Sequence, residues 1–96
     1  MKIISIRHKG LSRFIERGDL SGLPASHGVK IASMITVLSS IQDIDDLGSI
    51  SKWKIHRLTG DRKGQWSFSV SRNWRLTFRC DAGRGEIFDL DFEDYH

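Results

Sequence analysis

The chain carries a set of side chains that could cleave RNA without a metal ion. The sequence closes with Asp94, Tyr95 and His96, and His56 and Arg75 lie upstream. RNA is cut when a base takes the 2′-hydroxyl proton, that oxygen attacks the neighbouring phosphorus, and an acid protonates the departing 5′ oxygen. Cationic side chains stabilise the charge that builds on the phosphorus-bound oxygens. This reaction can therefore be carried out by two imidazoles, a carboxylate, a tyrosine and an arginine.

Further cations surround this set and suit a phosphodiester backbone. Arg75 and Arg79 lie an even number of residues apart and would share one face of a strand, as would Lys54 and His56. A planar guanidinium can hold two phosphate oxygens at once. We predict that RNA phosphates are bound by Lys54, Arg57, Arg62, Lys63, Arg72 and Arg79.

The same residues admit other interpretations. A metal site built from His56, His96 and Asp94 is the rival use of these groups. Arginines crowding the same face would repel a divalent cation, so we expect no metal and no cofactor. A single histidine on a strand is also more often an ordinary surface residue than a catalyst, and we interpret His8 and His27 in that way.

The size of the chain and its lone cysteine limit the protein class. Ninety-six residues are expected to form one domain over 1–96. Cys80 cannot form an internal disulfide, and it falls in the apolar register of its strand, as a small buried side chain would. The N-terminus does not resemble a signal peptide, and no apolar run is long enough to span a membrane. The expected location is the cytoplasm.

The charge is distributed unevenly along the chain. Residues 1–79 carry 14 Lys and Arg against 6 Asp and Glu, whereas residues 80–96 carry one Arg against 6 acids. A basic body of this kind favours a polyanionic partner such as nucleic acid, although a solvated basic surface without a partner has the same composition.

The first half of the chain predicts a strand and two helices. "KIISIR" is short and β-branched, as strands are. In "GLSRFIERG", Leu11, Phe14 and Ile15 form one helical face, and Gly18 is suited to end the helix. "GLPASHGVKIASMITVLSSIQ" predicts a longer helix with Pro24 in its first turn. "DIDDLGSIS" is interpreted as a loop.

The second half alternates with a period of two. "KWKIHRL", "QWSFSVS", "NWRLTFRC" and "EIFDLDFED" are strand candidates joined by turns. We expect Trp66, Phe68 and Val70 to point inward, with Gln65, Ser67, Ser69 and Ser71 outward. Phe88, Leu90 and Phe92 are the expected apolar set of the last strand. The predicted fold class is α+β, two-layered, with the N-terminal strand and two helices packed on an antiparallel sheet.

These motifs together resemble the HigB (host inhibition of growth, plasmid-maintenance killer) toxins of the RelE/ParE superfamily. The likeness rests on "RHKGL", an H-x-L-x-G-D segment, a G-x-W-S-x-x-V strand, an N-W-R-x-x-F strand and a terminal D-Y-H, in this order along the whole chain. The resemblance implies a compact RelE/ParE-like fold. It also implies a metal-free endoribonuclease that enters the ribosomal A site and cleaves mRNA there.

The resemblance further assigns partners and site residues. It implies a cognate helix-turn-helix antitoxin (HigA-like) that neutralises the toxin, represses the shared operon and provides the contact with operator DNA. By motif position, activity would depend on His56, Arg75, Asp94, Tyr95 and His96. Two alternatives have the same fold: a ParE-like toxin that poisons gyrase, and a non-catalytic antitoxin-binding module.

One position departs from the family pattern. Many relatives carry Lys two residues before the Asp of the first motif, where this chain has Thr59. A phosphate-binding cation is thus missing there, and Arg57, Arg62 or Lys63 are candidates to replace it. We expect weaker toxicity if none of them does.

Overall fold

The computed structural model describes residues 1–50 and 52–94, apart from the side chain of Ser49. Its α-helices are α1 (Lys9–Arg17) and α2 (Gly28–Ser40). Two short 3-10 helices span Ile44–Ser49 and Gly60–Arg62. The strands are β1 (Lys2–Ile3), β2 (His56–Arg57), β3 (Gln65–Ser69), β4 (Trp74–Asp81) and β5 (Glu86–Asp94).

The strands form one mixed sheet in the order β1-β5-β4-β3-β2. The pairs from β2 to β5 are antiparallel, because the connections between these strands are too short for a parallel crossover. β1 joins the sheet at its far edge, parallel to β5. The predicted α+β class is confirmed, and the parallel edge strand makes the sheet mixed instead of purely antiparallel.

Helix α1 is closed at both ends by the residues around it. Nδ1 of His8 accepts hydrogen bonds from the backbone N–H groups of Gly10 and Leu11, at 3.0 and 3.3 Å. His8 is therefore the N-cap of this helix, a role that the sequence interpretation missed. Gly18 ends the helix with φ at 70°, as predicted, because the left-handed conformation is free of strain for glycine.

The segments around α2 differ from the prediction. Pro24 lies in a turn, and the helix begins only at Gly28. The acidic segment expected to be a loop contains the 3-10 helix Ile44–Ser49, because Ile44 and Leu47 lie three residues apart on one side and are both buried. In the described part of the chain, no helix combines the length and the apolar character that crossing a membrane demands.

The core lies between the helices and one face of the sheet. The helices contribute Leu11, Ile31, Met34 and Leu38, and the sheet contributes Phe68, Leu76 and Phe78, all without solvent exposure. The rings of Phe68 and Phe78 meet edge to face at 5.3 Å. This packing leaves the opposite sheet face turned away from the helices.

A bulge in β5 changes which of its residues face the core. The pairing with β4 shifts by one residue between Thr77 and Arg79, and Asp89 takes a positive φ of 54°. Ile87, Leu90 and Phe92 are buried, whereas Phe88 is half-buried beside Arg79 on the other face. The prediction that Phe88 belongs to the apolar set with Leu90 and Phe92 was therefore wrong.

Strand β2 is much shorter than predicted. Lys52, Trp53 and Lys54 form a turn, and Lys54 has a positive φ of 49°. Trp53 is nevertheless buried against Phe68, with ring centroids 5.6 Å apart. The alternation of buried and exposed residues in this segment thus comes from a turn anchored by Trp53, and the strand is limited to His56–Arg57.

Candidate functional site on the outer face of the sheet

The sheet face that turns away from the helices, here called the outer face, carries several of the predicted site residues. Cross-strand register aligns His56 with Ser67, Ser67 with Thr77, and Thr77 with Asp91. Alternate residues of a strand share a face, so Arg75 and Arg79 lie on the same side as Thr77. The prediction that Arg75 and Arg79 share a face is confirmed, and His56 lies on the same side through its pairing with Ser67.

The middle of the outer face is covered by a polar network. The guanidinium of Arg62 donates to Oε1 of Gln65 at 2.6 Å and to Oε2 of Glu93 at 2.5 Å. The hydroxyl of Thr77 donates to the same oxygen of Glu93. Gln65 and Ser67 were expected to be solvent-exposed, but both are buried. Arg62 extends from the loop after β2 across the face to β5 and contacts Gln65 on the way.

This network controls the ionisation of Glu93. Burial opposes the charged carboxylate, but the hydrogen bonds from Arg62 and Thr77 and the guanidinium charge outweigh it, so the pKa of Glu93 is lowered. Glu93 is therefore ionised at neutral pH. Arg62 was predicted to bind phosphate, but in this structure its guanidinium is held by Glu93 and Gln65.

His56 is exposed at the edge of the outer face with a defined ring orientation. Its Nδ1 lies 2.9 Å from the carbonyl oxygen of Lys54. Since a carbonyl only accepts, Nδ1 carries the proton, and the neutral ring keeps its lone pair on Nε2. The turn at Lys54 thus orients His56 as a group that can accept a proton through Nε2.

Arg75 is tied to the hairpin between β3 and β4. One terminal nitrogen of its guanidinium donates to the carbonyl oxygens of Ser71 at 2.6 Å, Arg72 at 3.2 Å and Trp74 at 3.1 Å. These contacts fix the guanidinium at the end of the outer face where the hairpin turns. A guanidinium held in this way is suited to bind a phosphate.

A cleft beside Arg75 concentrates positive charge. Its volume is about 290 Å³, and its lining in the described part of the chain is Lys30, Lys52, Lys54, Ser69, Ser71, Arg72 and Arg75. We call this the cationic cleft. It brings together three of the predicted residues, Lys54, Arg72 and Arg75. The sequence interpretation missed Lys30 and Lys52. Lys30 belongs to α2 and carries no local signal of its position, whereas Lys52 could have been noted from its spacing to Lys54.

Other predicted phosphate-binding residues lie elsewhere. Arg57 alternates with His56 and stacks on the ring of Trp66 at 4.7 Å, on the side of the sheet opposite the outer face. With Lys63 it lines a cavity of about 500 Å³ that also includes Thr59 and Cys80. Of the cations proposed to compensate for Thr59, Arg57 and Lys63 therefore share its cavity.

Neither Arg79 nor Cys80 lines the cationic cleft. Arg79 lies on the outer face, but away from the cleft, with Nε 3.9 Å from the carboxylate of Asp89. Cys80 is half-buried, and burial followed by the charge of Asp81 raises the pKa of its thiol. A thiol that stays protonated is a poor nucleophile, but the side chain is only half-buried and not fully buried as predicted.

Of the three C-terminal candidate residues, the structure describes only Asp94. Asp94 is the last residue of β5 and pairs with Trp74, so by register it lies on the face opposite Arg75 and Glu93. Tyr95 and His96 lie outside the described residues. The structure therefore does not bring Asp94 onto the outer face with His56. From β2 to β5 there are three strand spacings of about 4.8 Å each, or roughly 14 Å.

The structure describes only part of the alternative metal site. In residues 1–50 and 52–94, no three His, Cys, Asp or Glu side chains are grouped closely enough to hold a metal ion. His96, one of the three proposed ligands, lies outside these ranges.

Comparison with known proteins gives agreement over nearly the whole chain. The sequence model of a family described as "RelE-like toxin of type II toxin-antitoxin system HigB" matches residues 4–96. The chain is 38% identical over 94 residues to the endoribonuclease HigB of Proteus vulgaris, covering 98% of this chain and 99% of that protein. Its fold is similar to that of a YoeB/ParE toxin from Agrobacterium tumefaciens, with a TM-score of 0.57 and 22% identity over 97% of this chain and 99% of the other.

Proposed function

The chain belongs to the HigB-like family of RelE-like toxins of type II toxin–antitoxin systems, and from this premise we propose that it is a ribosome-dependent endoribonuclease that cleaves mRNA in the A site. The endoribonuclease activity is supported by the full-length likeness to the Proteus vulgaris enzyme. The observation that carries the proposed site is the alignment of His56 and Arg75 on one sheet face beside the cationic cleft.

The proposed reaction begins with His56. Nε2 of the neutral imidazole takes the proton of a ribose 2′-hydroxyl, because Nδ1 is engaged by the carbonyl of Lys54. The 2′ oxygen then forms a bond to the adjacent phosphorus, and the bond from phosphorus to the 5′ oxygen breaks. The products are a 2′,3′-cyclic phosphate and a 5′-hydroxyl. DNA is not a substrate, because it has no 2′-hydroxyl.

Arg75 is the proposed stabiliser of charge on the phosphate. Its guanidinium is fixed by the carbonyls of Ser71, Arg72 and Trp74, so little reorganisation is needed when negative charge develops. We propose that Tyr95 or His96 protonates the departing 5′ oxygen, since the resemblance to HigB toxins includes both among the residues on which activity depends. No metal ion is required for these steps.

The partners follow from the family. A type II toxin has a cognate antitoxin. We propose that this antitoxin is a helix-turn-helix protein of the HigA type, and that operator DNA is contacted by the antitoxin. The ribosome and translated mRNA place the proposed activity in the cytoplasm.

The proposal is tested by mapping cleavage of a defined mRNA with and without ribosomes. We expect cuts at discrete positions in translated mRNA, with 5′-hydroxyl ends, and much weaker cleavage of free RNA. Intact transcripts accompanied by DNA damage signalling on induction would instead indicate a gyrase poison. Intact transcripts and normal growth would favour the non-catalytic module.

A further inference from the structure

We propose that the cationic cleft binds RNA backbone phosphates that lie outside the scissile bond, with Lys30 of α2 and Lys52 as its principal additional contacts. This inference rests on the proposed function and extends the RNA-binding surface beyond the outer face. A bound strand that crosses the outer face at Arg75 would continue over the end of the sheet toward α2.

Three separate parts of the chain supply the charge of the cleft. Lys30 comes from the first turns of α2, Lys52 and Lys54 from the turn before β2, and Arg72 and Arg75 from the β3–β4 hairpin. None of the described lining residues is acidic. Folding thus gathers cations from distant positions, and their mutual repulsion is relieved when an anion binds.

Four of the cleft cations have no carboxylate neighbour among the described residues, unlike four arginines elsewhere in the chain. Arg7, Arg62, Arg79 and Arg84 each lie within 4.0 Å of a carboxylate. In the described part of the chain, no carboxylate comes that close to Lys30, Lys52, Lys54 or Arg72. The positive charge of the cleft is therefore available to an external anion, whereas that of the paired arginines is partly neutralised.

The cleft is continuous with the proposed catalytic residues. Arg75 lines it directly, and the carbonyl of Lys54, another lining residue, holds the ring of His56. A phosphate bound in the cleft would therefore be close, along the RNA strand, to the phosphate that is cleaved. Ser69 and Ser71 add hydroxyl groups that can donate to phosphate oxygens.

The composition of the lining indicates which part of the RNA is bound. Lysine, arginine and serine bind phosphate oxygens, and the described lining contains no aromatic ring on which a base could stack. The cleft is thus suited to the phosphodiester backbone and not to base recognition. Its ligand is the RNA backbone of either the mRNA strand or ribosomal RNA.

The test compares two double variants. The cleft variant carries both Lys30→Gln and Lys52→Gln, and the matched control carries both Lys2→Gln and Lys9→Gln. Both variants lose two positive charges at exposed residues, and the control residues belong to β1, at the opposite edge of the sheet from β2, and to α1. The probe is a 2′-O-methyl RNA oligonucleotide, which cannot be cleaved, and its affinity is measured over a range of salt concentrations.

For single strands, each lost phosphate contact reduces the slope of log K against log salt by about 0.7, so the cleft variant should show a slope smaller by about 1.4. The control should keep the wild-type slope. Parallel binding to ribosomes with and without mRNA separates the sources: weakened binding to the oligonucleotide indicates the mRNA strand, and weakened binding to empty ribosomes indicates ribosomal RNA.

The inference is overturned if the cleft variant binds all three probes as the wild type does, if the control loses as much slope, or if the wild type binds none of them. Failure of the proposed function has a different signature. In that case the RNA-binding difference between cleft variant and control persists, but the wild-type protein leaves mRNA on ribosomes intact.

Discussion

Arg62 and Glu93 form an ion pair of 2.5 Å across the outer face of the sheet and so connect the loop after β2 to the last strand. Between them lie β3 and β4, whose Gln65 and Thr77 share the same hydrogen-bond network. The pair therefore holds together the strands that carry His56 and Arg75. Its disruption should affect stability first and catalysis only through the positions of those residues.

Replacing Glu93 with Gln should lower the free energy of unfolding by about 1–2 kcal/mol at neutral pH, a charge-assisted hydrogen-bond value reduced for partial exposure. The pKa of Glu93 is lowered from its ordinary value of 4.5 in the folded protein. The stabilisation is therefore present above that value and is lost as the pH falls through the folded-state pKa. Denaturant unfolding across this pH range measures the difference between wild type and variant.

Glu86→Gln is the matched control for that experiment. Glu86 lies on the same strand, and no cation comes within 4.0 Å of it among the described residues. A Glu93 variant as stable as the Glu86 variant at neutral pH, or a difference that grows in acid, would be inconsistent with the role given to this pair.

Gly10→Ala should be the most damaging alanine substitution among the glycines of the first half of the chain. A Cβ at Gly10 would lie 2.2 Å from the carbonyl oxygen of Gly22 and 2.9 Å from the ring of His8. Because the nearest obstacle is backbone, α1 or the following loop must move, at a cost of about 3 kcal/mol. Thermal unfolding measures this loss.

Gly48→Ala provides the comparison, because a Cβ there meets nothing within 4 Å. Its effect should stay within about 0.5 kcal/mol. Equal melting temperatures for the two variants would show that the close approach of Gly10 and Gly22 does not constrain the fold.

Arg75→Lys should lower the rate of mRNA cleavage by more than tenfold even though the positive charge is kept. A lysine cannot donate to the three hairpin carbonyls and grip a phosphate at the same time. Arg75→Ala should lose about 10²–10³-fold, the range found for removal of one transition-state donor. Cleavage rates on programmed ribosomes measure both, with Arg84→Ala, in the exposed β4–β5 turn, as the control. If Arg75→Lys cleaved mRNA at the wild-type rate, the positive charge would account for the whole contribution of Arg75.

His96→Ala should reduce mRNA cleavage by about 10²–10⁴-fold if the terminal histidine is a proton donor or acceptor. Circular dichroism checks that the variant remains folded. His27→Ala serves as the control, since the side chain of His27 makes no capping hydrogen bond to α2. Full activity of the His96 variant would remove the C-terminal part of the proposed site.

The predictions from sequence were most accurate for strands in which inward and outward residues alternate and the pairing with the neighbouring strand is regular. Arg75 and Arg79 share a face because β4 is regular on that side, and His56 joins them through the register of β2 with β3. Phe88 was assigned to the wrong face because the bulge depends on Asp89, a residue other than glycine with positive φ, which alternation does not reveal.

Long-range convergence was harder to infer. Lys30 reaches the cationic cleft through the packing of α2, and its neighbours in sequence give no indication of that position. Gln65 was expected to be exposed, but Arg62 binds its side chain and reaches Glu93, 31 residues away. Both outcomes depend on which elements meet in three dimensions, and local periodicity carries no information on that.

The most direct test of the proposed site is the single-turnover rate of mRNA cleavage on programmed ribosomes by His56→Ala. If His56 removes the 2′-hydroxyl proton through Nε2, the rate should fall by about 10²–10⁴-fold, while the variant remains folded and still binds the ribosome. Cleavage by His56→Ala at the wild-type rate would contradict a catalytic role for the outer face.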